Sequence, residues 1–218
     1  MDSQAPVIHH LAAGRPQDIQ DQQGHAFRTG IRKQKADNMV LKKSGITGND
    51  VADKKNHGGT DRAVCIYPLE HYGKWEEEFE RKLDQAAFGE NMTVAGMTED
   101  MVYIGNTYQV GSSVIQVTQG RVPCLKIDRR TGCDGLMKRF IATGFTGFFC
   151  RVLQEGVIQA DSRIELVKED ARRISVLYAN NIYFHERGNV DAMKRILNVP
   201  PLAEQWRSKL EKRIQNLK

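Results

Sequence analysis

The sequence has no long hydrophobic run. Its longest unbroken apolar stretches are a few residues, as in Ala63-Val64-Cys65-Ile66-Tyr67, where a spanning helix needs roughly 20. The N-terminus, Met1-Asp2-Ser3-Gln4, has no basic segment followed by an apolar core. Neither membrane insertion nor secretion is therefore expected, and a cytoplasmic location is. Cysteine is scarce. The four thiols (Cys65, Cys124, Cys133, Cys150) form no CxxC pair and no even framework, so a disulfide scaffold and a zinc ribbon are excluded and free thiols are expected. GxGxxG, P-loop, HExxH, GxSxG, iron–sulfur and haem CxxCH patterns are all missing. Charge is nearly balanced, at a formal +5 with an isoelectric point of about 9.0. That permits an anionic ligand or nucleic acid without demanding either.

What remains is a globular chain of 218 residues, 40% hydrophobic and 27% charged, long enough to bury a core unaided. From Val7 to about Val167, short β-prone runs alternate with Gly- and Asn-rich turns. Strands are expected at 39–41, 63–67, 114–118, 148–153 and 163–167. A hairpin is expected from 101–104 and 107–110 across Gly105-Asn106. One helix is expected at 69–79, entered after Pro68. From Glu169 onward the period changes to three short helices. The first carries Ile174, Leu177, Tyr178 and Ile182 and ends at Gly188. Asn189 caps the second. The third, from Leu202, stripes Trp206, Leu210, Ile214 and Leu217. Two domains follow, 1–168 and 169–218. The fold class is mainly β with some helix: many short strands and turns argue for a barrel or sandwich, with helices appended.

Three clusters could carry chemistry. Asn56-His57-Gly58-Gly59-Thr60-Asp61-Arg62 offers a backbone that approaches a ligand closely, a titratable ring and a guanidinium that matches phosphate. By composition alone it reads first as a solvated tight turn. Phe88-Gly89-Glu90-Asn91 presents an acceptor and an amide, or is simply an Asx turn. In Arg121-Val122-Pro123-Cys124-Leu125-Lys126, Pro123 ends a strand and Cys124 follows it between two cations, a setting that favours a thiolate. Cys65 and Cys150, inside apolar runs, read as buried small hydrophobes, and Cys133 as a loop thiol without a partner.

Taken in order, these stretches resemble the MOSC domain, named for the C-terminal domain of molybdenum cofactor sulfurase. More narrowly they are similar to the stand-alone bacterial YiiM-like, 6-N-hydroxylaminopurine resistance group. Gly45-Ile46-Thr47-Gly48-Asn49-Asp50, His57 to Val64, Tyr67-Pro68 with His71-Tyr72 and Trp75, Phe88 to Asn91, Ile104-Gly105, Arg121 to Cys124 and Arg151 to Gly156 carry the resemblance. Asn49 departs from it, as do Asn106 and Gly120, all at turns. The last fifty residues resemble the family's three-helix "3-alpha" domain.

The resemblance implies a MOSC-type β-barrel followed by that small domain, and a bound molybdenum cofactor (molybdopterin with molybdenum). It implies Cys124 as the thiolate ligand to the metal and, with His57, as a catalytic residue. Thr29, Lys33, His57, Gly58, Gly59, Asp61, Arg62, Glu90, Asn91 and Arg121 would join Cys124 in holding the cofactor. The implied activity is reduction of N-hydroxylated compounds, such as N-hydroxylated purine bases, to amines as detoxification. Electrons would come from a separate reductase, and a homodimer is compatible with the resemblance. The alternative is a non-catalytic carrier of the cofactor or of sulfur. The tail from Glu169 holds ten Lys+Arg against six Asp+Glu. Arg207, Lys209, Lys212 and Arg213 on its last helix read as a solvated face ahead of a docking surface, and nucleic acid is not the expected partner.

Overall fold

The computed structural model describes residues 5–21, 23–52 and 58–217. Among these residues thirteen strands build three sheets. The largest is a strongly curled half-barrel of eight strands. Its order is β13 (Ile164–Lys168), β9 (Thr107–Val110), β10 (Ser113–Gly120), β11 (Phe148–Gln154), β7 (Val64–Pro68), β8 (Met92–Ala95), β1 (Val7–Ala13) and β4 (Gln34–Lys35). Every pairing is antiparallel except β7 with β8. The register of β10 on β11 slips twice, between Val114 and Ile115 and between Val117 and Gln119. Such bulges add local twist, which helps a sheet curl. A smaller sheet, β12 (Gly156–Gln159), β5 (Asn38–Lys42) and β6 (Gly45–Ile46), puts Met39, Leu41 and Ile158 into the same core. A hairpin of β2 (Gln17–Gln20) and β3 (Ala26–Thr29) pairs only with itself.

Strand β7 is buried on both faces and explains how two cores meet. Val64 and Ile66 face the half-barrel interior with Met92, Val117 and Phe148. Tyr67, on the alternate face, joins Trp75, Phe88, Ile127, Leu136 and Phe140 in a second core. That aromatic core holds α1 (Glu70–Glu78), α2 (Lys126–Thr131) and α3 (Leu136–Thr143). Trp75 Nε1 donates to Tyr67 Oη at 2.7 Å, and Tyr67 Oη to Phe145 O at 3.2 Å, so both buried polar tips are satisfied.

The chain ends in three helices, α4 (Val176–Phe184), α5 (Val190–Leu197) and α6 (Glu204–Asn216). Ile182, Met193, Trp206 and Leu210 merge with the half-barrel core. Asn189 Oδ1 accepts from Ala192 N at 3.1 Å, the cap its sequence position predicts. Of the four basic residues on α6, two turn inward. Arg207 donates to Leu197 O and Val199 O at 2.9 and 3.0 Å, and Arg213 to Tyr183 O at 2.7 Å. They satisfy the carbonyls left over at the ends of α5 and α4.

Several expectations are corrected. Residues 101–104 form no strand. Ile104 N donates to Ile174 O and Val176 N to Val102 O, both at 2.9 Å, so a distant segment takes the backbone groups a hairpin would use. The actual hairpin turns at Gly111-Ser112, with Ser113 opposite Val110. The first tail helix starts at Val176, later than the expected change of period at Glu169: Ser175 caps it, accepting from Tyr178 N at 3.1 Å, while Asp170 accepts from Arg172 N in a local turn. Leu217 is 52% exposed and leaves the buried stripe. Helices α2 and α3 were not expected.

Candidate cofactor pocket

β10 ends at Gly120, Pro123 follows in the irregular connection, and the carbonyl of the next residue, Cys124, accepts from Ile127 N to start α2. This leaves the Cys124 side chain half-buried in the wall of a solvent-open cleft with a cavity volume of about 90 Å³. Thr29, Lys33, Arg62, Asn91 and Arg121 line the same cleft. Six of the expected site residues, drawn from four separate stretches of chain, therefore share one pocket.

Arg121 is 8% exposed. One terminal nitrogen, Nη2, donates to Phe88 O. The other, Nη1, is buried without a hydrogen-bond partner. A guanidinium nitrogen so placed in a pocket wall is able to donate to an anionic ligand.

Lys33 lines the same cleft. Its ammonium donates to Asn49 Oδ1. The same oxygen accepts from Asn91 Nδ2 and Gly14 N, each at 3.2 Å. Asn49, a departure from the family pattern, is thus the hub that fixes Lys33 and Asn91. Burial pushes the Lys33 ammonium down to about 8, helped by the like charge of Arg121 and opposed by Cys65 and Glu90. Asn91 also bridges strands: its Oδ1 accepts from Cys65 N at 3.1 Å and its Nδ2 donates to Ala12 O at 3.1 Å.

Cys65 is a pocket residue that sequence reasoning missed. It lines the cleft beside Lys33 and Arg121. Burial pushes its thiol pKa up, and the two cations pull against that shift. Alternation along β7 carries the signal: Val64 and Ile66 face one core, so Cys65 must face away from it. Lys126, Gly89 and Phe149 are also in the wall. At Gly89, φ is 78°, and a Cβ would lie 2.9 Å from Ile31 Cα. Only glycine lets these two wall segments close up.

Other expected residues lie elsewhere. Glu90 is fully buried and does not line the cleft. It accepts from Phe88 N at 3.2 Å, from Thr93 Oγ1 at 3.0 Å and from the Tyr72 hydroxyl, so it ties the turn together. Asp61 pairs with Arg151 at 2.9 Å. Gly58 holds Arg62 through its carbonyl, and neither it nor Gly59 is in the cleft wall. His57 lies outside the described residues.

With this fold and pocket in view, the chain belongs to the MOSC-domain family, whose model matches residues 53–165. The YiiM-like 3-alpha helix domain matches 174–217, which makes it a relative of YiiM within that family. It is 42% identical over 208 residues to YflK of Bacillus subtilis (strain 168), covering 95% of this chain and 94% of that one. The crystal structure of YiiM from Geobacillus stearothermophilus superposes with a TM-score of 0.81 at 36% identity, covering 96% of this chain and 99% of that one. A protein of Gibberella moniliformis (strain M3125 / FGSC 7600) named a reductase is 34% identical over 164 residues, 73% of this chain but 29% of its own length. No helix among the described residues is long and apolar enough to cross a membrane.

Proposed function

We propose that the chain is a cytoplasmic, molybdenum-cofactor-dependent reductase that converts N-hydroxylated compounds, such as N-hydroxylated purine bases, to amines. The observation that carries this reading is the convergence of a half-buried thiol, Cys124, with the unpartnered Nη1 of Arg121 and the ammonium of Lys33 in one cleft. A soft thiolate suits molybdenum, and the cations suit the phosphate and polar pterin of the cofactor. The residues present therefore fit the group. The fungal relative's name supports reduction as the reaction class.

When bound, the cofactor supplies the two-electron redox chemistry. The chain's own residues do the rest. Cys124 would ligate the metal. Arg121 and Arg62 would orient the anionic end, and Asn91 and Thr29 would offer neutral hydrogen bonds. Lys33, with its pKa near 8, holds a proton it can give up around neutral pH. Reducing an N–OH group to an N–H amine consumes two electrons and two protons and releases water. The electrons would come from a separate reductase protein.

Replacing Cys124 tests the reading. Cys124→Ala, made in a cofactor-competent host, is expected to lose molybdenum and N-hydroxylaminopurine reduction together. Unchanged values for both would overturn it. A parent chain that is loaded with metal but inactive with every reductase tried would point instead to cofactor carriage.

A further inference from the structure

The three-helix domain reaches a residue of the cleft wall, Arg62, through the side chain of Gln205. The N-cap position of α6 is Ala203, which has no side chain able to cap. The half-barrel supplies the cap. Asp61 Oδ2 accepts from Glu204 N at 3.0 Å, and its Oδ1 pairs with Arg151 Nη2 at 2.9 Å. Arg151 Nη2 in turn donates to Pro201 O at 2.8 Å. Two further bonds join the same parts: Ala203 N to Thr118 O at 3.1 Å, and Thr118 Oγ1 to Asp61 O at 2.7 Å. The start of α6 is thereby fixed against the loop that carries Arg62. The next residue, Gln205, then presents Oε1 to Arg62 Nη1 at 2.8 Å.

We propose that Gln205 is a positioning residue for the cleft: the helical domain braces Arg62 through it, so that the guanidinium meets a bound anion already oriented. Arg62 lines the cleft and Gln205 does not. A long side chain tethered in advance loses less freedom on binding, and that saving appears as affinity. The inference rests on the cofactor reading only for the identity of the anion.

Inorganic pyrophosphate, titrated calorimetrically into the full chain purified without cofactor, is the probe. Gln205→Leu is expected to weaken binding about three- to tenfold, and Arg62→Ala at least as much. The double variant is expected to bind no more weakly than Arg62→Ala alone, because the effect of Gln205 on the anion is transmitted through Arg62. A merely structural role would instead add its effect in both backgrounds. Gln205→Ala and urea midpoints for each variant keep an unfolded protein from being scored as lost affinity. In cofactor-loaded chain, Gln205→Leu is expected to release molybdenum faster than the parent. Parent chain that ignores pyrophosphate, a Gln205→Leu variant that binds like the parent, or additive losses would each overturn the inference. A chain that never carries molybdenum yet shows the non-additive cycle would sink the cofactor reading and leave this one standing.

Discussion

His71 Nε2 lies 2.6 Å from Glu99 Oε2, and Glu99 is completely buried. The other carboxylate oxygen accepts from Gly147 N at 2.7 Å, and the Glu99 carbonyl accepts from Leu177 N at 2.8 Å. One residue thus joins α1, the entry to β11 and the first turn of α4. His71 also stacks on Phe145 with ring centroids 4.1 Å apart. Glu99→Leu would leave a ring nitrogen and an amide buried without an acceptor. It is expected to lower stability by about 3 kcal/mol or more, read as a fall in urea midpoint. Glu99→Gln, which keeps one acceptor oxygen, is expected to cost less.

Gly120 and Asn180 form a second tight joint. A Cβ on Gly120 would sit 1.8 Å from Asn180 Oδ1. The Asn180 amide nitrogen is held by Gly144 O at 2.8 Å and Thr146 Oγ1 at 3.0 Å, so the side chain cannot simply swing away. Gly120→Ala is expected to destabilise by about 2 kcal/mol or more. Asn180→Ala in the same chain should recover part of that loss, seen as a rise in thermal midpoint over the single Gly120 variant.

Lys33 makes stability depend on alkaline pH. Its folded-state pKa of about 8 is below the ordinary 10.5, so between those values the unfolded chain binds more protons. Folding is opposed by the buried charge below about pH 8, and the penalty fades as pH rises toward 10.5. Lys33→Met is expected to be more stable than the parent at pH 7 by about 1–2 kcal/mol, allowing for solvent screening of a half-buried group. The difference should shrink by pH 10. Parallel urea titrations at the two pH values measure it; a constant difference would refute the prediction.

The thiols should label in a fixed order. Cys124 is half-buried, whereas Cys65, Cys133 and Cys150 are buried. Burial pushes the Cys65 and Cys150 thiols up, which keeps them protonated and unreactive. Iodoacetamide on the folded chain is expected to modify Cys124 first, with the other three reacting only after denaturant is added. Peptide mass spectrometry reads the order directly.

Elements whose partners are local were legible in the sequence. Strand β7, strand β5, helix α1 and the Asn189 cap follow from patterns within a few residues. The supposed strand at 101–104 failed because its backbone pairs with 174–176, which no local pattern reveals. Helices α2 and α3 were missed because each is short, and their apolar stripe has only Ile127, Leu136 and Phe140 buried against the aromatic core. At the pocket, Cys124 and Arg121 stood out by chemistry, and Lys33 only through the family resemblance. Glu90 stood out as well, but its turn absorbs its acceptors. Cys65 was hidden because an apolar run looks the same on either face of a strand until both neighbours are assigned.

The place of β7 between β8 and β11 has a consequence for synthesis on the ribosome. β7 ends at Pro68, and its partner β11 begins only at Phe148, about 80 residues later. At ordinary elongation rates that interval is roughly 4–16 s. Throughout it, the nascent chain carries an apolar strand, Val64–Pro68, with one hydrogen-bonding edge unoccupied. During that window the exposed edge can pair with its own neighbours on a polysome, so the yield of folded chain is expected to depend on translation speed and chaperone supply.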